Sequence, residues 1–264
     1  MSGFNPYTDH DTYTTGTAQT RLLPGMYFYP RLLWVIIRSG LKAKYGEYSG
    51  KDWTQSSAET LRYLEKAGVR FQITGLQNIR STTGPVVFVS NHMSTLETMV
   101  LPCLIQPRKN TTFVVKRELL DYPFFKHILG SRDPLTVGRD NPREDLKVVL
   151  SEGKRTLENG SSIILFPQRT RSIKFIPEEF NSLGVKLAAR SNAPVIPVAL
   201  ASDAWGNGKL MTEVGRIDHA KTVHIAFGEP LPPEEDSGEL HQAVIRFIED
   251  RLKAWGREDC LTEL

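Results

Sequence analysis

The chain has 264 residues, 40% of them hydrophobic and 24% charged, with a formal net charge of +3. That composition excludes a disordered, collagen-like or coiled-coil chain and suffices for one sizeable core, while so small a charge leaves no footprint for nucleic acid. Two cysteines, Cys103 and Cys260, without a Cys-x-x-Cys pair exclude a disulfide framework and a cysteine zinc site, which suits a reducing compartment.

Residues 1–20 are polar and Thr-rich, with Asp9 and Asp11. A secretory signal needs a basic start and then an apolar stretch, so this segment reads as a flexible polar tail. Residues 21–66 read as a helical, membrane-associating segment. From 21 to 51 the chain carries Arg21, Arg31, Arg38, Lys42, Lys44 and Lys51 against Glu47 alone. The apolar run 26–41 is interrupted by Pro30 and Arg31, and falls short of the ~18 apolar residues that cross a bilayer. Pro30 suits a first helical turn. Leu32 to Ile37 is apolar nearly all round. Tyr27, Tyr29 and Trp34 favour the headgroup zone, and the flanking cations attract anionic lipid. The reading adopted is a monotopic helix in one leaflet; the alternative is a helix buried in the core.

Residues 67–264 read as one α/β domain. Short apolar runs predict strands at Pro85–Ser90, Thr111–Lys116, Leu135–Val137, Ser162–Phe166, Val195–Leu200 and Thr222–Phe227. Pro197 inside one of them implies an edge or a bulge. Between them lies helical periodicity. Asn141 caps a helix over 142–158 with Pro142 at its first position, an inward stripe of Leu146, Val149, Leu150, Gly153 and Leu157, and a stop at Asn159-Gly160. Leu240, Val244, Phe247, Ile248, Leu252 and Trp255 make a second amphipathic helix. This alternation predicts a mostly parallel sheet flanked by helices.

Open α/β sheets bind ligands beyond the carboxyl ends of their strands. Three polar clusters follow predicted strands: Asn91-His92 with Glu97, Gly138-Arg139-Asp140-Asn141, and Pro167-Gln168-Arg169-Thr170-Arg171-Ser172. Parallel strands would bring all three to one edge. An imidazole titrates near neutrality and can take a proton from a hydroxyl, and a carboxylate can fix its tautomer. Arg139, Arg169 and Arg171 can hold phosphate by paired hydrogen bonds. Ser94-Thr-Leu-Glu97 also spells a capping box, so capping the helix and orienting His92 compete for the Glu97 carboxylate.

Asn91-His92-Met-Ser-Thr-Leu-Glu97 resembles the first motif of the glycerolipid (1-acylglycerol-3-phosphate) acyltransferases, a His followed after four residues by an Asp. Phe166-Pro-Gln-Arg-Thr-Arg-Ser172 resembles the family's Phe-Pro-Glu-Gly-Thr-Arg-Ser. Val137-Gly-Arg139 and Ala193-Pro-Val-Ile-Pro-Val-Ala199 are similar to its second and fourth blocks, in order, over a motif core of residues 85–200. The resemblance implies acyl transfer from acyl-CoA or acyl-carrier protein to a lysophospholipid hydroxyl, most simply lysophosphatidic acid, without an acyl-enzyme. It makes His92 the general base and Glu97 its partner. It makes Arg139, Gln168, Arg169, Thr170 and Arg171 the substrate-binding set, with Arg139 and Arg171 on the phosphate. No cofactor beyond the acyl donor is expected, the absence of a His-x-x-x-His pattern predicts no catalytic metal, and the basic N-terminal segment without a signal places the chain at the cytoplasmic face of a membrane.

Three positions depart from the family pattern. Glu97 replaces Asp, Gln168 replaces Glu, and Arg169 replaces Gly, so the third motif gains two positive charges. These departures admit a different lyso-lipid acceptor, or a lipid-binding relative that is weakly active or inactive. A hydrolase of the α/β type is disfavoured because no Gly-x-Ser-x-Gly occurs. Walker and His-x-x-x-His patterns are also absent.

Overall fold

The apolar runs become strands of one sheet, because each is bounded by polar turns and too short to pay out as a buried helix. The structure, a computed structural model, describes residues 4–16, 21–123, 125–138, 141–208 and 211–262. Among these the strands are β1 (Tyr13–Thr14), β2 (Arg70–Thr74), β3 (Val87–Ser90), β4 (Thr111–Lys116), β5 (Leu135–Val137), β6 (Ser162–Leu165), β7 (Val195–Ala201) and β8 (Thr222–Phe227). They lie in the order β1-β2-β8-β7-β3-β6-β4-β5. From β7 through β3, β6 and β4 to β5 every pairing is parallel. β8 runs antiparallel to β7, and β2 is parallel to β8. The expected mostly parallel sheet is therefore present, with an oppositely directed wing.

Alternate residues of the central strands face opposite layers. Phe88, Ile164, Ile196 and Val198 join one core cluster with residues of α1 (Pro24–Lys44), α2 (Gly50–Lys66) and α3 (Thr95–Ile105). Val87, Val89, Ile163, Leu165 and Val195 join the other, under α5 (Pro142–Glu158), α6 (Leu183–Ser191) and α7 (Ser237–Ala254). A short helix, α4 (Phe125–Gly130), precedes β5. Helix α6 lies close on the sheet because Gly184 has no side chain: a Cβ there would come within 2.6 Å of Val89 Cγ2.

Several expectations are corrected by packing. The segment read as a flexible tail is fastened over residues 4–16. Phe4 is buried, Tyr13 and Thr14 pair with Ile73 and Gln72, and the Tyr13 and Thr15 hydroxyls donate to Glu65 Oε1 at 2.5 and 2.6 Å. Pro30 sits inside α1 rather than in its first turn, which holds Pro24. Leu146 of the expected inward stripe is exposed, whereas Val149 and Leu157 are buried. Pro197 lies in an interior strand. The pairing opposite it slips by one residue between Val198↔Phe227 and Val195↔Leu231, which is the bulge alternative.

Helix α1 carries two apolar faces. Phe28, Leu32 and Val35 pack inward, and the Phe28 ring stands edge-on to Trp205 at 4.8 Å. Met26, Leu33 and Trp34 point outward with 74%, 56% and 60% of their surface exposed, and Leu41 and Tyr45 continue the stripe. The inner face of α1 thus belongs to the core, as the alternative reading expects, while the outer stripe is left uncovered. No helix among the described residues is long and apolar enough to cross a membrane.

Candidate active site

The site begins where β3 leaves the middle of the sheet. Asn91 is buried, and its amide closes two hydrogen bonds with the main chain of Leu200 on β7, each 2.9 Å. That fixes the direction in which the chain emerges. The main-chain N–H of His92 donates to Gln168 Oε1 at 2.6 Å, and its carbonyl accepts from the Ser172 N–H at 2.9 Å. The turn after β3 is thus stitched to the loop after β6. The His92 ring stacks on Phe166 with centroids 4.2 Å apart, and Phe166 stacks in turn on Phe113. Its plane is set by packing.

Ser94 then caps α3, whose third residue is Glu97. The reciprocal capping box is complete. Glu97 is fully buried, and both oxygens are saturated. Oε1 accepts from His92 Nδ1 at 3.0 Å, Met93 N at 2.6 Å and Ser94 N at 2.9 Å. Oε2 accepts from the hydroxyls of Ser94 at 3.0 Å and Ser202 at 2.5 Å. Capping and orienting therefore do not compete. His92 lies in the turn before the helix, beside the same amides that the cap must satisfy, so one carboxylate serves both. A carboxylate acceptor at Nδ1 places the ring's proton there and leaves Nε2 as the basic nitrogen. Burial by itself pushes the Glu97 carboxyl up. The hydrogen bond and charge of His92, with the Ser202 hydroxyl and the Ser94 amide, outweigh it and hold the carboxyl below its ordinary value.

Arg171 stands beside this dyad. Its Nη1 donates to Thr95 Oγ1 at 2.7 Å, in the first turn of α3, and its Nη2 to Glu213 Oε1 at 3.1 Å. Arg169 and Thr170 are exposed in the same loop. Gln168, expected among the substrate contacts, is buried and engaged with the His92 main chain. Arg139 and Asp140 lie outside the described residues. The preceding Gly138 donates its N–H to Asp145 Oδ1 at 2.9 Å, tying the turn after β5 to α5. The structure thus brings His92, Glu97, Gln168 and Arg171 together at the carboxyl edge of the parallel strands.

Two partners were not anticipated from sequence. Ser202 follows β7 by one residue, and the carboxyl-end rule would have found it. Glu213 lies in an irregular excursion between β7 and β8, where no sequence signal marks it. Two surface cavities, about 610 and 340 Å³, share the stretch Thr82–Pro85 before β3 and lie at the opposite edge of the sheet from His92.

Residues 70–201 match the acyltransferase family. The chain is 31% identical over 192 residues to a 1-acyl-sn-glycerol-3-phosphate acyltransferase of Pseudomonas aeruginosa, covering 73% of this chain and 69% of that one. It is 29% identical over 161 residues to the chloroplastic 1-acyl-sn-glycerol-3-phosphate acyltransferase BAT2 of Brassica napus, covering 60% of this chain and 44% of that longer protein. Its fold is similar to the crystal structure of the 1-acyl-sn-glycerophosphate (LPA) acyltransferase PlsC from Thermotoga maritima. The TM-score is 0.67 and the identity 20%, over 88% of this chain and 95% of that one.

Proposed function

Since this chain belongs to the acyltransferase family, we propose that it moves a fatty acyl group from acyl-CoA or acyl-carrier protein to the free hydroxyl of 1-acylglycerol-3-phosphate, giving phosphatidic acid. The observation that carries the reading is the His92–Glu97 contact at 3.0 Å, with Arg171 bonded to the first turn of the same helix. His92 Nε2 takes the proton of the acceptor hydroxyl as its oxygen attacks the thioester carbonyl. Glu97 stabilises the imidazolium through Nδ1–H. The tetrahedral adduct collapses, the C–S bond breaks, and the imidazolium returns its proton to the leaving thiolate. The products are the new ester and a free thiol, with no acyl-enzyme in between. Arg171 holds the acceptor's phosphate.

The acceptor is a membrane lipid, and the outward stripe of α1 supports docking in the leaflet that supplies it. Met26, Leu33 and Trp34 are apolar and exposed there, and Arg21 and Arg31 both lie over the Tyr27 ring, at 3.9 and 3.8 Å. That combination suits an interfacial helix on an anionic, cytoplasmic-face leaflet. The test is transfer of labelled acyl groups from acyl-CoA to lysophosphatidic acid in detergent micelles, with wild type and His92→Ala side by side. Product from wild type alone supports the reaction and the base. Equal product from a folded His92→Ala protein would refute the mechanism.

A further inference from the structure

Arg171 is not presented to the site as a bare cation. Glu213 reaches it from the segment Ser202–Lys221 that joins β7 to β8. The described backbone of that segment, 202–208 and 211–221, is held by contacts that do not involve the carboxylate. Gly206 N donates to Arg216 O at 2.9 Å, Asn207 Nδ2 to Met93 O at 3.2 Å, and Trp205 Nε1 to the Glu213 main-chain carbonyl at 3.0 Å. The Tyr29 hydroxyl on α1 donates to the Gly215 carbonyl. Gly215 is needed for this tight crossing, since a Cβ there would lie 1.7 Å from Gly206 O. The loop therefore places the carboxylate, and the carboxylate does not hold the loop.

Among the described residues the Glu213 side chain is paired with Arg171. The pair is part-exposed, with 21% of the Arg171 and 36% of the Glu213 side chain accessible. Asp203 at the start of the same segment is different: 2% exposed and paired with both Arg257 and Lys221, it is a structural anchor. A part-exposed single pair is weak and exchangeable. It also occupies the guanidinium that a phosphate would engage by paired hydrogen bonds.

We infer that Glu213 is a built-in competitor for the acceptor's phosphate, occupying the Arg171 guanidinium until the incoming anion displaces it and thereby setting acceptor affinity. This rests on the reading above that Arg171 receives that phosphate. The experiment uses Glu213→Gln and Glu213→Ala in the full chain. Gln keeps a carbonyl oxygen for Arg171 Nη2 and removes only the charge. Initial rates are measured against lysophosphatidic acid and against acyl-CoA, with calorimetric titration of a short-chain lysophosphatidic acid as a second readout. The expected result is an acceptor KM and Kd lowered about two- to fivefold in both variants, an unchanged donor KM, and a difference that shrinks as salt screens the pair. An acceptor KM raised in Glu213→Ala would instead make Glu213 a support for Arg171 and overturn the inference. Wild-type turnover with no shift in either variant would overturn it alone. No binding or turnover of the lipid phosphate by any of the proteins would overturn the acceptor reading and the competitor together.

Discussion

Replacing Glu97 with Gln separates its two duties. In the variant a neutral carbonyl oxygen can take the place of Oε1 and accept from His92 Nδ1, Met93 N and Ser94 N. The new NH2 group then meets the hydroxyls of Ser94 and Ser202, which can rotate to accept. The cap survives, and the loss of stability is about 1–2 kcal/mol, the difference between charged and neutral hydrogen bonds. On the proposed mechanism catalysis fares worse, because the imidazolium formed during attack loses its counter-charge. Unit charges about 4 Å apart at an effective dielectric of ~20 attract by about 4 kcal/mol. The amide dipole recovers part of this, so kcat should fall roughly a hundredfold to a thousandfold. Glu97→Asp keeps the charge with a shorter reach and should retain most of its turnover. The assay is labelled acyl transfer at saturating donor and acceptor, with thermal unfolding as the control for folding. A folded Glu97→Gln protein with near-wild-type kcat would reduce Glu97 to a helix cap and refute the dyad.

Two further outcomes follow from the packing. Leu33→Glu with Trp34→Glu places charges on the exposed stripe of α1 without touching Phe28, Leu32 or Val35. Co-sedimentation with anionic vesicles should drop on the order of tenfold or more; undiminished binding would remove α1 as the docking surface. The pairs from Arg257 and Lys221 outweigh the burial that pushes the Asp203 carboxyl up, and hold it below its ordinary value. Its stabilisation is therefore complete above about pH 4 and declines as the pH falls further. Asp203→Asn should cost about 3 kcal/mol at pH 7, the low end for breaking a buried pair, because the half-buried Arg257 keeps Asp259 as a partner. In denaturant titrations that gap should close below about pH 4; a gap independent of pH would assign the loss to packing.

The sequence carried β3 to β8, the clusters after β3 and β6, and the His92–Glu97 spacing, because these depend on local periodicity and short separations. β3 to β8 lie within a residue or two of their expected bounds, and Ser94-x-x-Glu97 caps α3 as its spacing requires. β2 was missed although Phe71 and Ile73 alternate inward, a period-2 signal five residues long. Chain order alone could not tell that β8 runs antiparallel, or that Phe4 and Tyr13 would fasten a polar segment to β2 and Glu65. Neither could it tell that Gln168 turns inward to the His92 main chain, or that Ser202 and Glu213 come from a segment more than a hundred residues beyond His92 to hold Glu97 and sit on Arg171. Hydrophobic periodicity and capping spacing act between near neighbours, so they are written along the chain. Which distant donor meets a buried carboxylate, and which carboxylate meets a cation, depends on strand order and loop path, and these exist only once the layers have packed.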